Sequence, residues 1–512
     1  MATLLALMTA LGLPTIARLM RSQPPRRTAL ILTAVAGLCL LVNGALTAFT
    51  LAGVVMRSPL VGMNGIGGSL LIDVVSGPIL ALIALIGLIV IAYSRNYLAG
   101  DPGQSRFLIA MADTIAAALL FVMSGNLALS IVLLIIVSLS LHRLLTFYPD
   151  RPAAQRAAAK KFVVSRLADI ALIIAATLLY RAFGTLEIAD LMTSAKSSPE
   201  NWSATGVTTA LVMVTFAALI KSAQFPLHGW LLEVMETPTP VSALLHAGIV
   251  NAGGFLAIRL ANGLLTSPVA LDVLMTVGAV TALLASLIMA TQTTVKGQLA
   301  YSTIAQMGFM LMQCGFGAFA SALLHILAHS LYKAHAFLSA GSVMATRNVN
   351  KPANLSLMAT GIVLAGLVTL AGTLAVITPI DATSLLFATL FLAGILPLVV
   401  RQAMSAGYWQ ATISFTALTL AYAVTQIGVH WLMAGTLPAQ PLLTTNLYAR
   451  ILGYGVLIAF TGISIAQMQD WNASKHPAAR ALYVHLRNGL YLNTFANRLA
   501  LAVWPHKTAT SA

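Results

Sequence analysis

KSAQFPLHGWLLEVMETPTPVSALLHAG, residues 221–248, breaks an apolar run at a lysine, and that interruption decides the fold. The run that contains the break, 206–232, and the run that follows, 240–262, can each cross a hydrocarbon core, which takes about 20 apolar residues. Pro226 removes a backbone donor and frees a carbonyl, and in lipid such a group persists only where protein or water satisfies it. A helix broken beside an ionisable residue is how transporters handle ions near the bilayer midplane. A packing kink accounts for Pro226 but leaves Lys221 unexplained.

The same apolar pattern extends to both sides. Hydrophobic residues fill 59% of the 512 positions and charged residues 8%, against roughly a quarter charged in soluble domains. Spans are expected near 3–20, 28–52, 70–93, 106–124, 127–148, 161–181, 206–232, 240–262, 268–290, 297–316, 320–346, 355–378, 383–401, 408–433 and 450–467. The chain therefore reads as an all-α integral membrane protein of about 15 transmembrane helices. Pro14 and Arg18 in the first span, with no small-residue cleavage site, indicate a retained helix rather than a signal peptide. The glycines at 62, 65, 67 and 68 follow no strand pattern and read as a plain turn, not a phosphate loop.

Charge placement orients these spans, because Lys and Arg resist translocation. Arg18, Arg21, Arg26 and Arg27 follow span one, Arg95 and Arg106 follow span three, and Arg143, Arg151, Arg156, Lys160 and Lys161 follow span five. The alternate connections hold few cations, chiefly Arg57, Arg181, Lys196 and Arg450. The N-terminus is expected to be periplasmic and the C-terminus cytoplasmic. This asymmetry accounts for the net charge of +15 without nucleic acid, with acidic membrane lipids or an acidic partner as the counterpart. Cys39 and Cys314 lie in separate apolar spans, so no disulfide framework or metal site is expected in this chain.

Ionisable groups at bilayer depth cost at least roughly 2.5–3.5 kcal/mol each on insertion scales, so those that persist face water, a partner or a pathway. Here they cluster. Lys221 lies in span seven, His246 in span eight, Lys296 at the start of span ten, and His325, His329 and Lys333 at i, i+4 and i+8 on one face of span eleven. Lysine desolvated toward neutrality and histidine, which titrates near pH 7, can hand protons along such a line. These six residues are the candidate proton or cation pathway. Arg166 and Asp169, i and i+3 in span six, are a candidate ion pair, and Glu233 and Glu236 a candidate gate that re-partners Lys221. Asp73 and Asp113 are single acids in spans three and four, each open between a structural and a pathway role.

Residues 221–248 resemble the signature of the proton-translocating antiporter-like subunits of respiratory complex I and of the Mrp-type cation/proton antiporters. TQTTVKGQLAYSTIAQMGFM (291–310), ALLHILAHSLYKAHAFLSAGSVM (322–344) and KKFVVSRLADIALI (160–173) are similar to further motifs of that family. The resemblance implies two inverted five-helix repeats, each with a broken helix, on a central polar axis. They would occupy 106–262 and 263–402, between N-terminal membrane helices (1–105), C-terminal membrane helices (403–467) and a cytoplasmic or interfacial tail (468–512). It also implies that Lys221 is the broken-helix lysine, His246 the histidine of the next helix, Lys296 the lysine before AYST, and His325, His329 and Lys333 the histidine pair and its lysine.

Three departures stand out. Leu134 occupies the position where the family carries a fifth-helix glutamate, 355–378 has no ionisable residue where the second broken helix should bring a lysine, and little room follows 467 for a lateral helix. EVMETPTPVSALLHAGIVNAGGF (233–255) is most similar to DabB, the membrane subunit family of DAB-type inorganic-carbon accumulation complexes. That resemblance implies a bacterial inner-membrane location, protons or sodium ions as the conducted species, and a DabA-like soluble zinc-containing subunit that hydrates carbon dioxide to bicarbonate. On this expectation the chain is a transporter or coupling subunit, not an enzyme, and the zinc belongs to the partner. The alternatives are a complex I or Mrp-type antiporter subunit and a non-conducting membrane anchor.

Overall fold

The computed structural model describes residues 1–341, 382–406, 408–438, 442–467, 477–495 and 498. The chain builds a helical membrane bundle from α1 (Ala2–Leu19), α2 (Pro25–Leu51), α3 (Ser76–Tyr97), α4 (Gln104–Val122), α5 (Leu127–Leu145) and α6 (Pro152–Phe183). The surface helix α7 (Ile188–Ser197) leads to α8 (Thr205–Lys221), α9 (Gly229–Glu233), α10 (Thr239–Ala247), α11 (Ala252–Arg259) and α12 (Ala261–Leu264). Then come α13 (Pro268–Thr291), α14 (Val295–Gly315), α15 (Phe319–Leu338), α16 (Ala382–Ala406), α17 (Tyr408–Met433), α18 (Leu442–Thr445), α19 (Leu447–Ala466) and α20 (Pro477–Arg487).

Among the described residues, 11 helical segments are long and apolar enough to cross a membrane, α10 and α11 together counting as one, Thr239–Arg259. α8, shorter but apolar, and α14 and α15 lie where spans seven, ten and eleven were expected, outside those 11. α14 and α15 carry the lysines, histidines and glutamines that dilute their hydropathy. The twelfth expected span, 355–378, lies outside the described residues.

The expected break after Lys221 is present, and a second interruption, at 249–251, faces it. α8 ends at Lys221, and the chain runs irregularly past Pro226 to the short α9. α10 and α11 are separated by a 3₁₀ turn at Ile249–Asn251. Backbone groups freed at the breaks find side chains: Phe225 N donates to Thr281 Oγ1 at 3.2 Å, and Ser222 Oγ donates to Val250 O at 3.2 Å. The second bond ties one break to the other. Gly253 permits this, since a Cβ there would collide with the Ala218 carbonyl at the end of α8.

The hairpin end of the bundle departs from the all-helical expectation. The glycine-rich segment is no plain turn: β2 (Val61–Met63) pairs with β3 (Ile66–Gly68), and β1 (Met56–Arg57) pairs with β4 (Leu71–Ile72), all antiparallel. Asn64 and Gly65, with φ of +50° and +75°, make the Asn-Gly turn that matches strand twist. The ladder continues into the helix connections, where Leu71 N donates to Met123 O at 2.8 Å and Leu186 N to Gly65 O at 3.0 Å. Buried Glu187 pins it, accepting from Ser69 Oγ at 2.8 Å, Asn126 Nδ2 at 2.7 Å and Arg57 Nη2 at 2.9 Å.

The opposite end, called the tail end because α20 lies there, is closed by side chains. Tyr148, in the α5–α6 connection, donates to Asp101 Oδ2 at 2.7 Å. Burial, and then this carboxylate, push its hydroxyl up to about 12.

Candidate functional site

Apolar helices bury whatever polar side chains they carry, and the bundle gathers these into one line. On α6, Lys161, Ser165 and Asp169 fall at i, i+4 and i+8, which stacks them on one face over about 12 Å. All three are buried. Lys221, ending α8, donates to Asp169 Oδ1 at 2.8 Å, while Arg166 Nη2 lies 2.7 Å from Asp169 Oδ2. One carboxylate thus serves two cations. For Glu233 the expectation that it re-partners Lys221 is corrected here: α6 packs along α8 and brings Asp169 to the break, whereas Glu233 Oε1 meets Lys160 Nζ at 2.6 Å. Glu236 ends the 3₁₀ turn Val234–Glu236, and its side chain lies outside the described residues.

Lys161, counted from sequence among the basic residues of a connection, is 4% exposed and points into the bundle. Its Nζ donates to Ser138 O at 2.7 Å and to Ser138 Oγ at 2.8 Å. Ser138 is one turn from Leu134 on α5, so a lysine approaches the place where a fifth-helix acid was expected. The i, i+4, i+8 spacing with Asp169 was the available signal. Buried His228 was passed over as well; it stacks on Phe225 with ring centres 3.8 Å apart. Two residues beyond a proline at a helix break is the mark it carried.

Beyond the break the line continues through neighbours. Ser222 meets Val250, the next residue, Asn251, donates from Nδ2 to Ser330 Oγ at 2.9 Å, and Ser330 precedes Lys333 by one turn on α15. Fully buried Lys333 donates to Leu299 O at 3.0 Å. Thr303 Oγ1 donates to the same carbonyl at 3.0 Å and lies 3.1 Å from His246 Nδ1. Which of Thr303 Oγ1 and His246 Nδ1 donates to the other depends on the tautomer of His246. Its ring stacks on Phe337 at 4.3 Å.

His325 and His329 lie 6.1 Å apart, ring centre to ring centre, and line a cavity of about 540 Å³ with Gln306, Gln313, Tyr422 and Gln426. His329 is buried, 5% exposed. Lys296 is half-buried in the first turn of α14, and no hydrogen bond among the described residues joins it to the line. Asp73 and Asp113 stand apart. Asp73 Oδ1 accepts from Val75 N and Ser76 N at the start of α3, and its Oδ2 accepts from Arg259 at 2.5 Å. Asp113 pairs with Arg18 at 2.6 Å on the side of the bundle.

A line of buried amines and imidazoles interleaved with hydroxyls, amides and one doubly paired carboxylate can take up, hold and release protons. Among the described residues no group of His, Cys, Asp and Glu is arranged to hold a metal ion.

Comparison with known proteins bears on the same region. Residues 124–437 match the family model "NADH:quinone oxidoreductase/Mrp antiporter, TM", and residues 62–108 match the complex I chain 5 N-terminus model. A Halothiobacillus neapolitanus protein named "Probable inorganic carbon transporter subunit DabB2" is 38% identical over 439 residues, which are 83% of this chain and 79% of that protein. "Probable inorganic carbon transporter subunit DabB" of Hydrogenovibrio crunogenus is 45% identical over 268 residues, and NAD(P)H-quinone oxidoreductase chain 5 of Picosynechococcus is 36% identical over 345. The matched region spans about half the length of these two relatives, 51% and 49%. In fold, the chain superposes over its whole length on 58% of a chain in the Mrp complex from Dietzia, with a TM-score of 0.60 at 22% identity. The matched models, the relatives and the broken-helix bundle agree, and the chain belongs to the NADH:quinone oxidoreductase/Mrp antiporter family of multi-pass membrane subunits.

Proposed function

We propose that this chain is a cation-conducting, proton-handling membrane subunit that energises inorganic-carbon accumulation by a soluble zinc-containing partner similar to DabA. The observation that carries the reading is the Lys221–Asp169 pair at 2.8 Å, set at a helix break inside a buried polar line. A lysine in this position can exchange its proton while Asp169 keeps a second cation, Arg166, so neither protonation state leaves the carboxylate unpaired. Each charge crossing the membrane releases about 2.3 kcal/mol per 100 mV, work that an attached hydration step can use. The names of the DabB and DabB2 relatives support inorganic carbon as the beneficiary.

The test is proton flux in proteoliposomes containing the chain and its partner, read with an internal pH dye. Lys221→Ala is expected to abolish flux and carbon-uptake support while the protein still inserts; near-normal flux would leave Lys221 a structural anchor. A complex I or Mrp-type antiporter role is the second reading, favoured by the identity with quinone oxidoreductase chain 5. Sodium-dependent flux with no response to bicarbonate would select it, and absence of any flux would leave a membrane anchor.

A further inference from the structure

After α20 the backbone enters three successive left-handed residues, Gly489, Leu490 and Tyr491, with φ of +60°, +54° and +60°. Cβ–carbonyl contacts disfavour this region for Leu and Tyr, so such a run holds only where its surroundings over-determine it. They do so here. Leu490 and Leu492 pack on the apolar core, and Gln292 Nε2 donates to Arg487 O at 3.3 Å.

The turn delivers Asn493 to the tail end of the polar line. Its Oδ1 accepts from Lys160 Nζ at 3.0 Å and its Nδ2 donates to Glu233 Oε1 at 2.9 Å, closing a ring with the 2.6 Å contact between Lys160 and Glu233. A carboxamide can accept from a cation and donate to an anion at once. Gly229, opening α9, leaves the space that the amide fills. Lys160 directly precedes Lys161, the first buried member of the line, and Glu233 ends α9, the helix that follows the break. Three segments far apart in sequence therefore meet at the tail end of the polar line.

We infer that Asn493 is a positioning residue: it holds Lys160 against Glu233 and keeps the tail-end mouth of the polar line shut, and withdrawal of residues 489–493 opens it. This deepens the proposed function and rests on it for what passes through the opened mouth.

Two measurements on the full-length chain in lipid bilayers test the inference. In the first, an amine-acylating reagent is applied and modification of Lys160 is followed by mass spectrometry. Asn493→Ala is expected to raise the Lys160 rate several-fold over the unaltered chain while Lys296 is unchanged. In the second, Gly229→Cys is combined with Asn493→Cys. A Cβ on Gly229 would lie 3.6 Å from that of Asn493, inside the span of a disulfide, and Cys39 and Cys314 are buried away from the reaction. The oxidised form is expected to stop proton flux and to slow Lys160 acylation relative to the reduced form, and dithiothreitol should restore both. Equal Lys160 rates in the unaltered chain and Asn493→Ala, or equal flux and acylation in the locked and reduced forms, would overturn the inference. If even the unaltered chain carries no flux, the proposed function fails, and the acylation rates still decide whether Asn493 guards the mouth.

Discussion

Lys221 Nζ donates to Asp169 Oδ1 at 2.8 Å, so the lysine at the break of α8 takes its counter-ion from α6, with Leu134 standing where α5 was expected to supply an acid. Both side chains are nearly inaccessible, 8% and 5% exposed. Removing one partner of such a pair leaves the other charge uncompensated.

Asp169→Asn should therefore damage both stability and function. A loss of about 3–5 kcal/mol is expected from orphaning a buried cation, together with a fall in proton flux on the order of tenfold or more, equivalent to at least about 1.4 kcal/mol. Thermal unfolding in detergent and flux in proteoliposomes read the two separately. Flux within twofold of the unaltered chain would remove Asp169 from the pathway.

Lys161→Met should separate the two effects. Lys161 is held by Ser138 without a carboxylate hydrogen-bonded to it among the described residues, and replacing an uncompensated buried charge by an apolar side chain of similar length is often neutral or stabilising. The melting temperature is expected to hold or rise while flux falls on the order of tenfold. A lower melting temperature with unchanged flux would make Lys161 a structural cross-link between α5 and α6.

Glu187→Gln should behave in the opposite way. Arg57, 41% exposed, keeps Asp190 at 2.9 Å, so the cost comes mainly from weakening the buried bonds that Glu187 accepts from Ser69 and Asn126, about 1–3 kcal/mol, and the polar line is untouched. Flux per folded molecule is expected to match the unaltered chain, with folded yield and melting temperature reduced. A changed flux per molecule would mean that the hairpin end takes part in conduction.

Orientation is tested by labelling. Arg156→Cys and Lys196→Cys, both at exposed positions near opposite ends of α6 and α7, should react with a membrane-impermeant thiol reagent from the cytoplasmic and periplasmic sides respectively. Reaction from the reversed sides would overturn the orientation expected from charge placement.

Helices and the break after Lys221 were legible because lipid imposes length and forbids unsatisfied backbone, whereas the interruption at 249–251 carries no proline to announce it. Partners were less legible. Asp169 was read with Arg166 three residues away because i, i+3 contact is local, whereas its bond to Lys221 depends on how α6 lies against α8. Lys161 was counted as a topology-setting cation, and only packing against Ser138 shows it turned inward. The hairpin at 56–72 was missed although Asn64-Gly65 announced it, since the apolar alternation of its two- and three-residue strands is too brief to register. Asn493 had no signal at all: its role exists only in the company of Lys160 and Glu233.

The two ends of the bundle are joined by different kinds of bond. At the hairpin end, backbone ladders run from strand to helix connection and are pinned by Glu187; at the tail end, contact passes through the side chains of Lys160, Glu233 and Asn493. A ladder resists shear along its whole length, whereas a ring of three side chains yields when one rotamer turns. The stiff end is consequently the fulcrum, and any rocking of α6 against the broken helices has its largest swing at the tail end.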